Sequence, residues 1–196
     1  MSDDRSVLRR RLRATRRAIP ASERIAAAER LAMRLLQLPF APQAGPVAGY
    51  WAMDGEIALH AWQMRLPPAC TYCLPVLHED RRLRFAPWHP GAALVTNLHG
   101  IPEPDVADHV LLDPEAMAMV VLPLVGFDAR GHRLGMGGGW YDRSFAFRQS
   151  GKTTPWLVGA AFSSQFTDGL ASASWDVAMD AVCSERETHL FETLPA

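Results

Sequence analysis

The chain has 196 residues, 48% of them hydrophobic and 21% charged, with a formal net charge of −1. That balance belongs to one compact domain with a sizeable core and excludes a low-complexity or disordered chain. No run of eighteen apolar residues occurs, which excludes a membrane-spanning helix, and the N-terminal segment lacks the apolar centre of a secretory signal. A cytoplasmic protein is therefore expected, with its three cysteines as reduced thiols.

In chain order, residues 6–18 read as a helix with Leu8 and Leu12 on one side and arginines around the rest, stopped by Pro20. Seven arginines against two aspartates in residues 1–20 concentrate the basic charge there and leave the rest of the chain acidic. A second helix starts near Ser22, read as its cap, and carries Ile25, Ala28, Leu31, Leu35 and Leu36 on one face as far as Pro39. Short apolar runs follow: strands at 46–53, 70–77, 82–88 and 118–127, with a short helix near 58–65. A helix over 140–149 and strands at 156–162 and 177–183 complete the pattern. This alternation predicts a single α/β domain spanning 1–196, with a mostly parallel central sheet flanked by helices in a Rossmann-like three-layer arrangement.

Cys70 and Cys73 form a CxxC, but positions three apart in a strand point to opposite faces and no second pair completes a zinc set, so both are read as core residues. None of the seven histidines forms a metal motif. His132, in the turn after strand 118–127, is expected to be exposed.

The chemistry concentrates in "DARGHRLGMGGGWYDRSF", Asp128–Phe145, directly after the most apolar run. Gly135, Gly137, Gly138 and Gly139 free the backbone for conformations closed to other residues. Consecutive unobstructed N–H groups leading into a helix are suited to an anion, phosphate above all, and Arg133 adds a cation. The familiar phosphate motifs fail: GMGGGW lacks the last glycine of GxGxxG, and neither Gly126–Arg133 nor the segment around Lys152 makes a P-loop.

The segment "LPLVGFDARGHRLGMGGGWYDRSF" closely resembles the signature region of 5-formyltetrahydrofolate cyclo-ligases. The likeness extends to "RSVLRRRLRATRRAI", "GYWAMDGEI", "YCLPVL", "NLHGIPEP" and "WDVAMDAV", nearly the whole chain. The resemblance implies closure of 5-formyltetrahydrofolate to 5,10-methenyltetrahydrofolate, with ATP as co-substrate, Mg²⁺ as cofactor, and ADP and phosphate released. It implies that Arg133, Leu134, Gly135, Met136, Gly137, Gly138, Gly139, Trp140 and Tyr141 hold the ATP phosphates, with Arg5 and Arg9 of the first helix reaching the nucleotide from the other side. Catalysis would fall to Arg133, Tyr141 and Asp142, metal binding to Asp142 and Asp180, and folate binding to Tyr50, Trp51, Met53, Glu56 and Trp140. Met136 and Gly138 stand where many members carry Arg and Lys, and Trp140 where Tyr or Phe is usual.

A rival reading takes the seven arginines as an RNA-binding face. It accounts for the first helix and leaves the glycine loop, Asp142, Asp180 and Glu56 without a role. The expected partners are therefore small molecules, with no nucleic acid and no membrane, acting on a monomer.

Overall fold

A computed structural model of the chain describes residues 2–191. It opens with two helices, α1 (Ser2–Arg17) and α2 (Ala21–Leu36), then β1 (Gly45–Ala48), the single turn α3 (His60–Gln63), β2 (Cys70–Leu77) and β3 (Leu83–Pro87). A small hairpin of β4 (Leu94–Thr96) and β5 (Pro102–Pro104) precedes β6 (Met119–Pro123) and a second hairpin of β7 (Gly126–Phe127) and β8 (Arg133–Leu134). The helix α4 (Trp140–Ser144), β9 (Trp156–Ala160), β10 (Ala181–Cys183) and β11 (Thr188–Leu190) close the chain.

Seven strands form the central sheet in the order β11-β10-β9-β6-β1-β2-β3. The five inner strands are parallel, and antiparallel β11 and β3 lie at the two edges. Alternation along the inner strands sorts side chains to two faces. Val47, Tyr72, Met119, Val121 and Val158 pack with Leu31 and Leu35 of α2 and Trp62 of α3. Ala48, Cys73, Val120, Leu122 and Leu157 pack on the other side with Phe145 and Val177. This is the layered α/β arrangement expected. Cys70 and Cys73 are free thiols on opposite sides of β2, Cys73 buried. No helix among the described residues is long and apolar enough to cross a membrane.

Several boundaries differ from the expectations. Helix α2 starts at Ala21 with no side-chain cap, because Pro20 at φ −59° and ψ 151° sets the entry in place of Ser22. The strand expected over 46–53 ends at Ala48, and the run 118–127 is split between β6 and β7 after Pro123. The helix expected over 140–149 is five residues of α4 followed by a 3₁₀ turn, Ala146–Ser150.

Ligands of such folds gather where the carboxyl ends of parallel strands open into loops. Here neighbouring β1 and β6 run out on the same edge, into the loop 49–59 and towards the glycine loop.

Candidate active site

The hairpin β7–β8 delivers the glycine loop. Its turn is closed by buried Asp128, whose Oδ1 accepts from the N–H groups of Arg130 at 2.9 Å and His132 at 3.0 Å and whose Oδ2 accepts from Leu170 N–H at 2.8 Å. The His132 ring lies 3.1 Å from the same carboxylate and is only about a third exposed, a correction to the expected solvent-facing histidine. A Cβ on Gly126 would meet Leu12 Cδ1 at 2.6 Å, so that glycine is what lets α1 pack down on the hairpin.

Past β8 the chain leaves its hydrogen-bonding partners. The N–H groups of Met136, Gly137, Gly138 and Gly139 donate to no protein acceptor among the described residues. Gly137 at φ +98° and Gly139 at φ +65° occupy backbone space that side chains disfavour. Three cations flank the run, among them Arg143, whose Nη2 donates to Gly138 O at 2.7 Å. Arg9 Nε donates to Gly135 O at 2.8 Å, and its guanidinium lies 3.7 Å from where a Cβ on Gly137 would stand. Burial, then the charge of Arg5 one turn earlier, pulls the Arg9 pKa down, as expected where cations gather without an anion. Arg133 is 9% exposed, pairs with Asp142 and donates to the Val177 carbonyl. Burial lowers its pKa too, with Asp142 and Asp176 opposing. Since α4 has only five residues, the attraction for an anion rests on the loop amides and these arginines rather than on a long helix.

The loop after β1 faces this one and is built differently. A Cβ on Gly49 would fall 2.2 Å from the Tyr72 hydroxyl, so only glycine fits. The Tyr50 hydroxyl donates to Ile57 O at 2.6 Å and Glu56 Oε2 accepts from Met53 N–H at 2.9 Å, which tie the loop to itself. Burial pushes the Glu56 carboxyl up, against the lowering effects of the Met53 N–H and Arg16. The Tyr50 and Tyr141 hydroxyls are both pushed up, by burial first and by the charge of Glu56 next, while the Tyr141 ring stacks on Phe145 at 6.4 Å.

The model of the 5-formyltetrahydrofolate cyclo-ligase family matches residues 1–185. The chain belongs to that family. It is 34% identical to the 5-formyltetrahydrofolate cyclo-ligase of Escherichia coli K12 over 174 residues, 87% of this chain and 94% of that one. It is 32% identical to that of Haemophilus influenzae over 180 residues, 88% and 93% of the two chains. The solved structure of Aquifex aeolicus 5,10-methenyltetrahydrofolate synthetase superposes with a TM-score of 0.80 at 26% identity, covering 98% of this chain and 95% of that one.

Within this cyclo-ligase fold the residues singled out in the sequence fall into three groups. Arg5, Arg9, Arg133, Leu134–Tyr141 and Asp142 come together around the glycine loop. Tyr50 and Glu56 tie together the loop after β1, while Trp51 stacks edge-on against Trp88 at 5.7 Å and Met53 stands at 36% exposed. Trp140 turns its indole N–H to His99 Nε2 at 3.2 Å, at the tip of the β4–β5 hairpin, and stacks under Arg143.

Asp180 belongs to none of these groups. It precedes β10 at the amino-terminal end of that strand, beside Leu157, and both its oxygens accept from buried Arg148, at 2.7 and 2.8 Å. Strand direction explains the difference, since the glycine loop follows the opposite, carboxyl end of β6. The second acid close to Arg133 is Asp176, adjacent to Val177, whose N–H donates to Asp142 Oδ1 at 3.1 Å. Sequence reasoning passed over Asp176 because it lies in a loop, four residues before the acid that was taken to lie in an apolar strand.

It also missed Arg16, which is fully buried and joins α1 to the loop after β1 and to the bend between β6 and β7. Its Nε donates to Asp54 O at 3.1 Å, Nη2 to Asp54 Oδ2 at 2.8 Å and Nη1 to Leu124 O at 3.2 Å. Asp54 also receives Arg13 at 2.7 Å and Arg17. Among seven arginines, nothing in the sequence singles out the one that turns inward.

Proposed function

We propose that the protein is a single-domain cytoplasmic monomer that uses ATP and Mg²⁺ to close 5-formyltetrahydrofolate to 5,10-methenyltetrahydrofolate, releasing ADP and phosphate. The observation that carries this reading is the run of N–H groups from Met136 to Gly139 without a protein acceptor among the described residues, flanked by Arg9 and Arg133 and beside the loop that Tyr50 and Glu56 tie together. One pocket suits polyphosphate and its neighbour suits a flat heterocycle bearing hydrogen-bond donors.

The formyl oxygen is a poor leaving group. Transfer of the γ-phosphoryl group to it makes phosphate the departing species when the neighbouring amine nitrogen attacks the formyl carbon. Such a transfer is catalysed mainly by positioning and charge neutralisation. The loop amides and Arg5, Arg9 and Arg133 hold the phosphates, and Arg133, nearest the second pocket's Tyr141, meets the charge that develops on the group in transit. Glu56, held by Met53 N–H, accepts from the ring donors of the pterin; Trp51, Met53 and Trp140 close the remaining sides.

The donor set fits Mg²⁺. Asp142 Oδ2 accepts no hydrogen bond from the described residues, and a hard ion that keeps several waters and shares phosphate oxygens needs only one or two carboxylates. Asp142 and Asp176 would hold it, and bound there it would neutralise phosphate oxygens. Asp180, occupied by Arg148, has no part in this site.

The test is the near-ultraviolet absorbance of 5,10-methenyltetrahydrofolate when purified protein meets 5-formyltetrahydrofolate. A rise that requires both ATP and Mg²⁺ is expected. A rise without ATP, or none from folded protein that binds ATP, overturns the proposal.

A further inference from the structure

Outside the two pockets lies a cleft of about 360 Å³ between the start of α2 and the loop 52–60. Its floor is small and apolar, from Ala28, Ala52 and Ala58, and Glu56 forms one wall. Arg24 stands on its rim, half-buried, with Nη1 3.5 Å from where a Cβ on Gly55 would lie. Among the described residues no acceptor or carboxylate engages its guanidinium. Every other cation nearby is committed: Arg13, Arg16 and Arg17 converge on Asp54, and Arg16 also lies 3.7 Å from Glu56 Oε1. Four guanidinium groups thus stand beside two carboxylates, and the one at Arg24 has no partner among the described residues. His60, exposed, sits at the mouth.

A half-buried guanidinium with no partner gains most from a carboxylate, which it meets with two parallel hydrogen bonds. We propose that Arg24, supported by His60 at the mouth, forms a subsite for the glutamate carboxylates of the folate substrate, with the aminobenzoyl ring crossing the alanine floor. This rests on the folate reading above. With the pterin held at Glu56, the rest of the molecule must leave past one side of that residue, and this cleft opens there. Each further γ-linked glutamate adds a negative charge beside a cluster that is positive overall, so longer tails bind more tightly and lose that advantage in salt.

The experiment compares 5-formyltetrahydrofolate with its diamide, in which both tail carboxylates are neutral, in wild type, Arg24→Gln and Arg24→Lys. The expected result is a KM for the acid that rises about tenfold or more in Arg24→Gln, the scale of one charge-assisted contact. The diamide's KM should be the same in all three proteins, which also certifies the fold, and Arg24→Lys should keep the acid within a few-fold of wild type. Equal shifts for acid and diamide, or no shift for either, overturn the subsite. If wild type converts neither compound, the reaction assignment has failed and the subsite is read by calorimetric titration with p-aminobenzoylglutamate and its diamide. Binding of the acid alone, lost in Arg24→Gln, upholds the subsite, and equal binding of acid and diamide overturns it.

Discussion

The two loops of the candidate site have different origins, one following β1 of the central sheet and the other the β7–β8 hairpin beyond its neighbour β6, and they hold themselves in opposite ways. The loop after β1 is finished before any ligand arrives: Tyr50 and Glu56 close it by hydrogen bonds, Asp54 collects three arginines, and Arg16 locks it to α1. The glycine loop leaves the N–H groups of Met136 to Gly139 without a protein acceptor among the described residues, exposes Met136 at 56% and lies beside Arg9 and Arg133, of which Arg133 pairs with Asp142. A flat heterocycle is recognised by shape, which needs rigid walls. A polyphosphate brings its own charge and acceptors, so its cradle is completed by the ligand itself.

Arg133 tests this contrast most severely, because it joins the open loop to Asp142. Arg133→Ala should lower kcat by about 10²–10³-fold, the cost of one donor aimed at developing charge. Circular dichroism and thermal unfolding should show a folded protein. Full activity in this variant would remove the phosphate reading.

Asp54→Asn strikes the rigid loop instead. Asparagine tolerates the φ of +53° found there and preserves the shape, but it removes the nearer of the two carboxylates that fully buried Arg16 faces, leaving Glu56 at 3.7 Å. Losing one partner of a buried pair predicts destabilisation by about 3 kcal/mol in urea unfolding, with a raised KM for the folate and little change for ATP. A stability loss under about 1 kcal/mol would mean that Leu124 O, the residue-54 carbonyl and Glu56 suffice to hold Arg16.

How much of this was legible in the sequence follows from the same contrast. The glycine loop announces itself, since four glycines in five residues have few uses between an apolar strand and a helix. The layers of the sheet were legible as well, because an alternating pattern of apolar runs demands them. The short strands β4, β5, β8 and β11 were not, being two or three residues long and stabilised by pairing rather than by their own pattern. Asp180 was misplaced for a related reason: an acid in an apolar run signals a partner but not which one, and Arg148, thirty-two residues earlier, gives no local sign. Arg16 differs from its six neighbours only by the face it presents once α1 is docked.

A smaller effect is expected from Gly137→Ala. At φ +98° an alanine is strained by about 1–2 kcal/mol, and its methyl group approaches Arg9. Because the loop makes few contacts, the strain should be relieved by local movement. The KM for ATP should then rise about tenfold while the KM for folate and the unfolding midpoint stay within error. An equal change in both KM values would show that the two loops are mechanically coupled, contrary to the contrast drawn above.

The smallest effect is one of pH, and it divides the rigid loop itself. Asp54 and Glu56, two residues apart, are pushed in opposite directions. Burial raises both, but at Asp54 the arginines prevail and hold it below the usual carboxylate range, while at Glu56 burial prevails. The lowered Asp54 contributes stability that is present above its unfolded value and lost as pH falls through the folded one. The raised Glu56 contributes stability that is complete below its unfolded value, near 4.3, and lost as pH rises through the folded one. Urea midpoints of Glu56→Gln should therefore fall less than those of wild type as pH rises from about 4 towards neutrality, and Asp54→Asn should flatten the acid limb below about 4. Bound folate, donating hydrogen bonds to Glu56, should draw its pKa back down and remove the first difference. If folate leaves that difference unchanged, Glu56 does not touch the substrate and serves the loop alone.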